Sequence, residues 1–544
     1  MRNVAFSFLL ISALPAAIQA QAWTTTATHA LPLTNVTSLG SLDANTSMHI
    51  AVALKLQNPG QLKALIQSEN TPGNAAYGTE LEPAQFEAAY SPTSAQVQAV
   101  ESYLSSQGFQ NIQAEDNSLF VTADGTAGIV QTAFNTSLGQ FNLNGQVVYA
   151  NTMDAQVPDS LGGIVLSILG LNNIAAMRSM LAQPTSVPAL KFEYGPQDFQ
   201  KAYDAGTTPT GSKTSIAVFA EGDLSGVLSD LRIFEKTYGL PQAPVTVIPT
   251  GIANPDTSGV DEWDLDSQSS TGIAGAVQHL YFYDASSMTD SDLAISFNRF
   301  AAQKVARAGN ASFGECEVFP YLDGSMLADD QVFAEAAAQG QTVFSSTGDV
   351  GAACPVEGTN GVPDSGPPLV SYPASSPYVV AVGGTTLLTN SDGTYDTEIA
   401  WYSGAGGISQ FEYSMYWQSG IVPSNAAGDK GLPDLAMDAD PNSGANIIVG
   451  GSAEVVGGTS LSSPLSMGVW ARLESAHRNK LGFASPRLYQ FASPVNTATA
   501  ALPSVTGFHD IIVGTNAGYA ATPGWDYTTG LGTFDISAIN ALLQ

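Results

Sequence analysis

One serine lies where a nucleophile is expected. Ser460 follows the glycine pair Gly457-Gly458 in the stretch GGTSLSSP, and a helical pattern continues from there through Leu473. A glycine pair lets the backbone turn tightly, and free N–H groups at a helix N-terminus can stabilise an oxyanion beside an exposed serine oxygen. The stretch fits a second interpretation equally well, in which Ser460 or Thr459 only caps the helix.

A nucleophilic serine needs a base, and the usual base is histidine. None of the five histidines lies in a motif typical of a serine peptidase, so a conventional Asp/His/Ser enzyme is the less favoured hypothesis; they are His29, His49, His279, His477 and His509.

Two carboxylates offer an alternative base. In the stretch EWDLD, Glu262 and Asp266 are four residues apart at the start of a predicted helix, so their side chains share one face. Like charges at that spacing repel, which raises the pKa of at least one group and lets the pair share a proton. Taken in isolation, the stretch also fits a solvated acidic face.

A third acid follows a predicted strand. Asp349, in the stretch STGDVG, comes directly after the apolar run 342–345. Catalytic groups collect at the carboxyl edge of a parallel sheet, and an aspartic acid held protonated there can donate to an oxyanion. The alternative is an ordinary turn residue.

The elements that must position these groups indicate an α/β domain after Tyr194. Near-continuous apolar runs, typical of buried parallel strands, alternate with helical patterns over 290–306 and 327–338. We therefore expect a doubly wound parallel sheet. The predicted strands are Ser215–Phe219, Val245–Pro249, Val277–Tyr283, Thr342–Ser345 and Tyr378–Val382.

The preceding section predicts a smaller α+β domain, in which strands alternate with two helices as in a split βαβ fold. The strands are placed at 48–56 and 118–121 and the helices at 95–107 and 128–134. Residues 175–192 carry no clear period and contain two prolines, which is typical of a linker.

Composition excludes several classes of function. The chain has 544 residues with 17 Lys+Arg against 48 Asp+Glu, a net charge of −31. So few cations do not suit nucleic-acid binding or attachment to anionic membranes. The first 20 residues read as a secretory signal, with Arg2, an apolar stretch over 4–15 and a small-residue cleavage site at 17–20. No later apolar run is long enough to span a bilayer.

Taken together, these stretches resemble the sedolisin family of serine-carboxyl peptidases, especially its kumamolisin-like members. GGTSLSSP matches the family's S-G-T-S-x-x-x-P motif with Gly457 in place of the first serine, EWDLD matches its E-x-x-x-D helix, and STGDVG matches its S-x-G-D-x-G strand end. The stretch 312–317 resembles the family's substrate-binding strand. The resemblance implies Ser460 as nucleophile, Glu262 as base, Asp266 as its partner and Asp349 as oxyanion acid.

The resemblance also implies a fold and a domain order. We expect a subtilisin-like peptidase domain over 193–544, preceded by a signal peptide over 1–20, a ferredoxin-like activation prodomain over 21–175 and a linker with the processing site over 176–192. Cleavage is expected near 178–192 once carboxylate contacts across the interface are protonated. A disulfide between Cys316 and Cys354 is expected, because both follow predicted neighbouring strands of an exported protein.

One structural Ca²⁺ ion is a further implication. The family uses two Asp carboxylates and backbone carbonyls, usually in a D-I…G-x-G-x-D pattern, and Thr522 replaces the first glycine of that pattern here. Oxygen ligands of this kind suit Ca²⁺. The implied ligands are Asp510, Ile511, Thr522, Gly524 and Asp526.

The expected protein is a secreted, monomeric, acid-active endopeptidase that acts on protein or peptide substrates and is inhibited by its own prodomain. Two alternatives stay open: a tripeptidyl-peptidase of the same family, and a secreted binding protein that retains an inactive peptidase fold.

Overall fold

The architecture is that of a computed structural model, which describes residues 21–33, 36–183, 193–354, 369–423, 428–493 and 503–543. The predicted signal peptide, residues 1–20, lies outside the described residues, and so do residues 184–192 of the predicted processing range. Within the described part of the chain, no helix is long and apolar enough to cross a membrane.

The N-terminal section is built on a four-stranded antiparallel sheet with the strand order β4-β5-β3-β9. Its strands are β1 (Trp23–Thr25), β2 (Thr37–Ser41), β3 (Ser47–Leu54), β4 (Gln110–Ala114), β5 (Phe120–Thr126), β6 (Leu138–Leu143), β7 (Gln146–Asn151), β8 (Gln156–Pro158), β9 (Val165–Leu169) and β10 (Arg178–Ser179). Its helices in the described residues are α1 (Pro59–Asn70), α2 (Pro83–Tyr90), α3 (Ser94–Gln107) and α4 (Ala127–Ala133).

Helix α3 illustrates how the sequence folds this section. Thr93 caps its N-terminus, Gly108 ends it with a φ of 98°, and Val97, Val100 and Leu104 form a buried stripe against the sheet. The order of β3, α3, β4, β5, α4 and β9 is that of a ferredoxin-like fold, which confirms the predicted class. The prediction of two helices was wrong, because α1 and α2 are also present. Helix α2 has only eight residues, and α1 packs against the helix Ser325–Ala338 of the following domain, a partner that local periodicity does not reveal.

The second section contains the predicted parallel sheet, in the order β12-β13-β11-β14-β16-β18, with β22 parallel and β19 antiparallel to β18. Its strands are β11 (Ser215–Glu221), β12 (Val245–Pro249), β13 (His279–Ala285), β14 (Ala308–Ala311), β15 (Phe313–Cys316), β16 (Thr342–Ser346), β17 (Ser371–Tyr372), β18 (Val379–Thr389), β19 (Tyr395–Ala400), β20 (Gly407–Tyr413), β21 (Asp429–Leu432), β22 (Leu435–Asp438), β23 (Ala445–Val449), β24 (Ser452–Val456), β25 (Ala492–Ser493), β26 (Ser504–Val505), β27 (Phe508–His509) and β28 (Thr533–Phe534).

Helices flank this sheet, as a doubly wound domain requires. They are α5 (Pro196–Ala202), α6 (Ser225–Tyr238), α7 (Val260–Ala274), α8 (Asp290–Gln303), α9 (Val318–Asp323), α10 (Ser325–Ala338), α11 (Thr459–Ala476), α12 (Ala484–Leu488) and α13 (Ile536–Leu542), with short 3-10 turns at Pro441–Ser443 and Tyr489–Phe491.

Helices α7 and α11 are closely packed neighbours. Gly468 permits this approach, since a Cβ there would lie 2.4 Å from the carbonyl oxygen of Ser270 on α7.

Some predicted boundaries shift. Strand β18 continues seven residues past its predicted end at Val382. Gly383 and Gly384 allow this, because they leave no side chain to clash with Pro433 and Ala439, which pack closely against the strand. A Cβ at Gly383 would lie 2.7 Å from the ring of Pro433. The strand predicted at 118–121 instead begins at Phe120, because Ser118 occupies a turn with a φ of 64°.

Cys316, at the end of β15, forms a disulfide with Cys354, with 5.6 Å between the Cα atoms. The bond fastens the chain that follows Asp349 to β15. The expected pairing is therefore present.

Opposite charges join the two sections. Glutamates of the N-terminal section meet cations of the α/β domain: Glu80 with Arg307 at 2.6 Å, Glu82 with Lys304 at 3.2 Å, and Glu115 with Arg299 at 3.0 Å.

Candidate active site

Ser460 and Glu262 meet at the N-terminal ends of α11 and α7. The hydroxyl of Ser460 donates to Oε2 of Glu262 over 2.9 Å, and both side chains are buried. The turn before Ser460 depends on Gly458, whose φ of 99° favours glycine. The structure thus brings together the predicted nucleophile and base, which are 198 residues apart in sequence.

Asp266 lies one helical turn further along α7 and is held by a neighbouring polar network. Ser312 donates to its Oδ1 over 2.5 Å, and Asn310 donates to the Ser312 oxygen over 2.9 Å. Ser463 of α11 in turn donates to Asn310 over 2.6 Å. The network therefore links α7, α11 and the end of β14. Among the described residues, Oε1 of Glu262 and Oδ2 of Asp266 accept no hydrogen bond.

Pro464 explains one part of this network. A proline has no N–H, so at this position in α11 it leaves the carbonyl of Ser460 without its helical partner. The hydroxyl of Ser312 lies 3.3 Å from that carbonyl oxygen. Pro464 thus leaves the Ser460 carbonyl oxygen free to contact Ser312, which also bonds to Asp266.

Asp349 lies on the other side of Ser460 and is fixed by Thr459. Both the backbone N–H and the hydroxyl of Thr459 reach Oδ1 of Asp349 at 2.8 Å. Its Oδ2 is buried and lies 2.6 Å from the point that a Cβ on Gly458 would occupy. One oxygen is therefore anchored while the other faces the turn at the nucleophile.

The environment favours the neutral form of all three acids. Burial raises the pKa values of Glu262 and Asp266, and the charge of Glu262 raises that of Asp266 further. Hydrogen bonds from Ser179 and Ser460 act in the opposite direction on Glu262. Burial also raises the pKa of Asp349 to about 7, against the bonds from Thr459. The pair thus retains a proton in acid, and Asp349 is protonated below neutrality.

Residues 176–182, part of the predicted linker, occupy the cleft above these groups and are called the cleft segment below. Ala176 bridges to Thr289, and Arg178–Ser179 pairs antiparallel with Phe313–Gly314. The N–H of Ser460 donates to the carbonyl oxygen of Met180 over 3.3 Å. The stretch 312–317 therefore binds an extended chain, as the resemblance implies.

The histidines lie elsewhere. His29 contacts Asp154 and His49 contacts Asp124, both in the N-terminal section. The other three contact Thr246, Asn540 and the ring of Tyr395; they are His279, His477 and His509, respectively. The hydroxyl of Ser460 bonds to a carboxylate, so the geometry does not support the Asp/His/Ser alternative.

The implied calcium ligands come together in the C-terminal turn. Gly524 donates its N–H to Oδ2 of Asp510 over 2.9 Å, and Thr522 donates to Asp526 over 2.8 Å. Ile511 follows Asp510 and is buried. Within the described residues, no Lys or Arg forms an ion pair with either carboxylate, and no cluster of three or more His, Cys, Asp or Glu side chains is suited to a metal. The implied set has only two carboxylates, and its all-oxygen chemistry fits Ca²⁺.

Comparisons with known proteins identify the family. Residues 34–174 match the model of the pro-kumamolisin activation domain. The chain is 43% identical to sedolisin of Pseudomonas sp. (strain 101) over 92% of its own length and 88% of that protein. The chain belongs to the sedolisin family. It is therefore a serine-carboxyl peptidase made with an activation prodomain.

Two further matches agree. Xanthomonalisin of Xanthomonas sp. (strain T-22) is 37% identical over 93% of this chain and 66% of that protein. The solved structure of Pseudomonas sedolisin, a serine-carboxyl proteinase complexed with pseudo-iodotyrostatin, matches with a TM-score of 0.60 and 38% identity. The match covers 65% of this chain and 98% of the sedolisin chain in that structure. The subtilisin-like, prodomain-bearing fold expected of this sedolisin-family chain is confirmed.

Sequence reasoning did not find every residue of the site. It placed Ser312 only on a substrate-binding strand and assigned no part to Asn310 or Ser463. The available signal was the pair of alternating polar residues Asn310 and Ser312 at the end of a buried strand, since such groups need partners. Thr459 was noted as a cap, whereas its hydroxyl fixes Asp349.

Proposed function

We propose that this chain is a secreted, acid-active endopeptidase that cleaves peptide bonds through Ser460, Glu262 and Asp266, with Asp349 as oxyanion donor, and that is made as a self-processing precursor. The observation that carries the proposal is the 2.9 Å hydrogen bond from the Ser460 hydroxyl to Glu262. Export rests on the signal-like sequence over 1–20.

In the proposed mechanism, Glu262 accepts the hydroxyl proton of Ser460 as its oxygen attacks the substrate carbonyl carbon. Asp266 is the positioning partner. The free oxygens Oε1 of Glu262 and Oδ2 of Asp266, one helical turn apart, suit a proton shared by the pair. The pair would keep one of its two protons in acid, and the vacant position would accept the Ser460 proton, also while the cleft segment is bound.

The tetrahedral oxyanion would be stabilised by the N–H of Ser460 and the protonated Oδ2 of Asp349. The peptide C–N bond then breaks as the pair returns the proton to the departing amine, and water hydrolyses the ester by the reverse route. Because Asp349 must carry its proton, activity is expected to fall as the pH rises through about 7.

The cleft supports an endopeptidase more than a tripeptidyl-peptidase. The cleft segment provides four residues before Met180, whose carbonyl lies at the nucleophile, and Ala176 and Met177 are held beside Thr289 and Met288. A tripeptidyl-peptidase needs a cleft that is closed beyond the third residue before the cleaved bond, whereas this cleft holds five residues, 176–180.

We also propose that Asp510 and Asp526, with carbonyl oxygens of Ile511, Thr522 and Gly524, hold one Ca²⁺ ion. When bound, the ion would cross-link two parts of the C-terminal turn and neutralise their charge. The proposed reaction uses no group at that turn.

The test is the rate of hydrolysis of a denatured protein from strong acid to mildly alkaline pH, for the wild type and Ser460→Ala. We expect a bell-shaped profile confined to acid and no hydrolysis by the variant. An optimum at or above neutrality would contradict the carboxylate mechanism, and cleavage by Ser460→Ala would overturn the site. A wild type that binds the protein without hydrolysing it at any pH would favour the inactive binding protein.

A further inference from the structure

The cleft segment is bound on its upstream side as a strand. Arg178 lies opposite Gly314 and Ser179 opposite Phe313, in antiparallel register. The N–H of Met180 then donates to the carbonyl of Ser312 over 3.2 Å. The chain is thus held in an extended conformation up to Met180.

The downstream side is held as well. Ala182 donates its N–H to the carbonyl of Gly457 over 3.1 Å, and Gly457 donates back over 2.9 Å. The peptide bond that follows Met180 therefore spans a short gap between two fixed points, directly at the turn that carries Ser460.

The carbonyl of Met180 lies in the oxyanion position. Its oxygen accepts the N–H of Ser460 at 3.3 Å and lies 2.1 Å from the point that a Cβ on Gly458 would occupy. The free Oδ2 of Asp349 lies 2.6 Å from the same point. Both proposed oxyanion donors therefore adjoin this one carbonyl group.

The Met180 side chain fits a slot formed by two glycines. A Cβ at Gly314 would lie 2.8 Å from its terminal methyl carbon, and one at Gly348 would lie 3.7 Å away. The hydroxyl of Ser346 is 3.4 Å from the sulfur. The slot accepts a long unbranched chain because neither glycine has a side chain to fill it.

We propose that the first self-processing cut is made within one molecule, at the Met180–Leu181 bond. This inference rests on the proposed function. The Ser460 oxygen bonds to the Met180 carbonyl carbon while its proton passes to Glu262. The bond to the Leu181 nitrogen breaks and that nitrogen takes the proton. Water then hydrolyses the Met180 ester, leaving a Met180 carboxyl, a free Leu181 amine and the Ser460 hydroxyl.

The experiment is a time course of purified full-length precursor after acidification, read by intact mass and N-terminal sequencing at early times. We expect a fragment that ends at Met180, a partner that begins at Leu181, and a half-time unchanged over a hundredfold range of concentration. A first cut at another bond, or a half-time that shortens in proportion to concentration, would overturn the inference.

A matched pair of variants sharpens the test. Met180→Pro removes the N–H that bonds to Ser312, and misplacement of the bond should slow this cut by at least about 100-fold. Gln183→Pro places the same residue at an exposed position beyond the paired residues and should cut at the wild-type rate. Equal rates for the two variants would overturn the inference.

Two readouts separate this inference from the proposed function. If Met180→Pro does not fold, as judged by circular dichroism, the wild-type time course decides alone. Wild-type enzyme that digests a denatured protein in acid but first cuts itself elsewhere contradicts only the inference. Processing of the Ser460→Ala precursor alone in acid contradicts the proposed function itself.

Discussion

At the residue scale, Asp349 differs from the other acids of the site in how its two oxygens are used. Oδ1 receives two hydrogen bonds from Thr459, while the buried Oδ2 accepts none among the described residues. A neutral carboxyl group suits this arrangement, because its hydroxyl oxygen donates and its carbonyl oxygen accepts. An asparagine side chain has the same donor and acceptor arrangement but does not titrate.

The first prediction follows from that likeness. Asp349→Asn should retain measurable activity and continue to act at higher pH than the wild type, because its donor is not lost as the pH rises through about 7. Asp349→Ala should lose about 10²–10³-fold in kcat, the usual effect of removing one oxyanion donor. The check is kcat against pH for both variants. Equal inactivity of the two, or an unchanged alkaline limit for Asp349→Asn, would contradict the role.

The sequence revealed the chemistry of the site but not all of its geometry. Glu262, Asp266, Asp349 and Ser460 were candidates from residue type and spacing. The family resemblance implied their catalytic roles, which stay predictions. The hydroxyl of Ser312 and the amide of Asn310 were not found, because their contacts join strand ends to helices far away in sequence.

At the element scale, the distance between base and nucleophile depends on how closely α7 and α11 approach. Gly468 lies against the backbone of Ser270 and against Ile273, where a Cβ would be 2.4 Å and 2.5 Å from its nearest atoms. A backbone carbonyl cannot rotate away as a side chain can, so any side chain here must separate the helices.

Gly468→Ala is therefore expected to weaken both stability and catalysis. Overpacking should cost about 1–3 kcal/mol of unfolding free energy, and displacement of Ser460 from Glu262 should lower kcat/KM by about 100-fold. Gly226→Ala on α6 is the control, because its Cβ would meet only Val260 at 3.9 Å. Urea unfolding and hydrolysis of a peptide substrate provide the measurements. A Gly468→Ala protein that matches this control would show that the helices tolerate separation.

The C-terminal turn carries the third prediction. If Asp510 and Asp526 hold Ca²⁺, a chelator should lower the melting temperature by several degrees, since saturation at about 100 times Kd contributes roughly 2.7 kcal/mol. Asp526→Asn should remove most of this response. Asp392→Asn, at an exposed turn, should leave it intact. The same chelator response in both variants would exclude Asp526 as a ligand.

The cleft segment marks a limit of element prediction. Residues 175–192 lack a period and were predicted as a linker, yet Arg178–Ser179 forms a strand. This strand forms only by pairing with Phe313–Gly314 in the folded peptidase domain, so the local sequence does not predict it. The domain boundaries at 175 and 192 stay predictions.

At the scale of the whole molecule, many carboxyl groups are buried without a cation beside them. Burial raises the pKa of Glu335 and of Asp264 to about 8, and that of Glu317 to about 7. The folded protein thus holds protons that the unfolded chain releases near pH 4. The resulting stability is full below that pH and is lost as the pH rises toward 7–8.

We therefore expect the Ser460→Ala precursor, which should not digest itself, to melt at a lower temperature at about pH 8 than at about pH 4, by on the order of 10 °C. Repeating the measurement in high salt separates this effect from repulsion due to the net charge of −31, because salt screens only exposed charges. A melting temperature that is constant or rises over this range would refute the linkage.

The fold itself was largely predictable. Apolar runs predicted five strands of the sheet, because a sheet buried on both faces needs them, and β12 has the predicted bounds Val245–Pro249. The central strand β14 was not predicted, because its sequence AGNA contains no large apolar residue. Helices α1 and α2 were missed because their burial depends on the neighbouring domain. The overall class, the family and the peptidase assignment are confirmed.

The ion pairs between the prodomain and the peptidase domain use several of the few Lys and Arg residues that this protein has. After Thr185 the chain contains 13 basic and 37 acidic residues, and Arg299, Lys304 and Arg307 are all engaged with prodomain glutamates. Arg307 and Glu80 are only 14% and 13% exposed, so dissolved ions screen their attraction weakly. The precursor should therefore stay closed in brine as it does in fresh water, and the salinity of its surroundings should not decide when the enzyme is released.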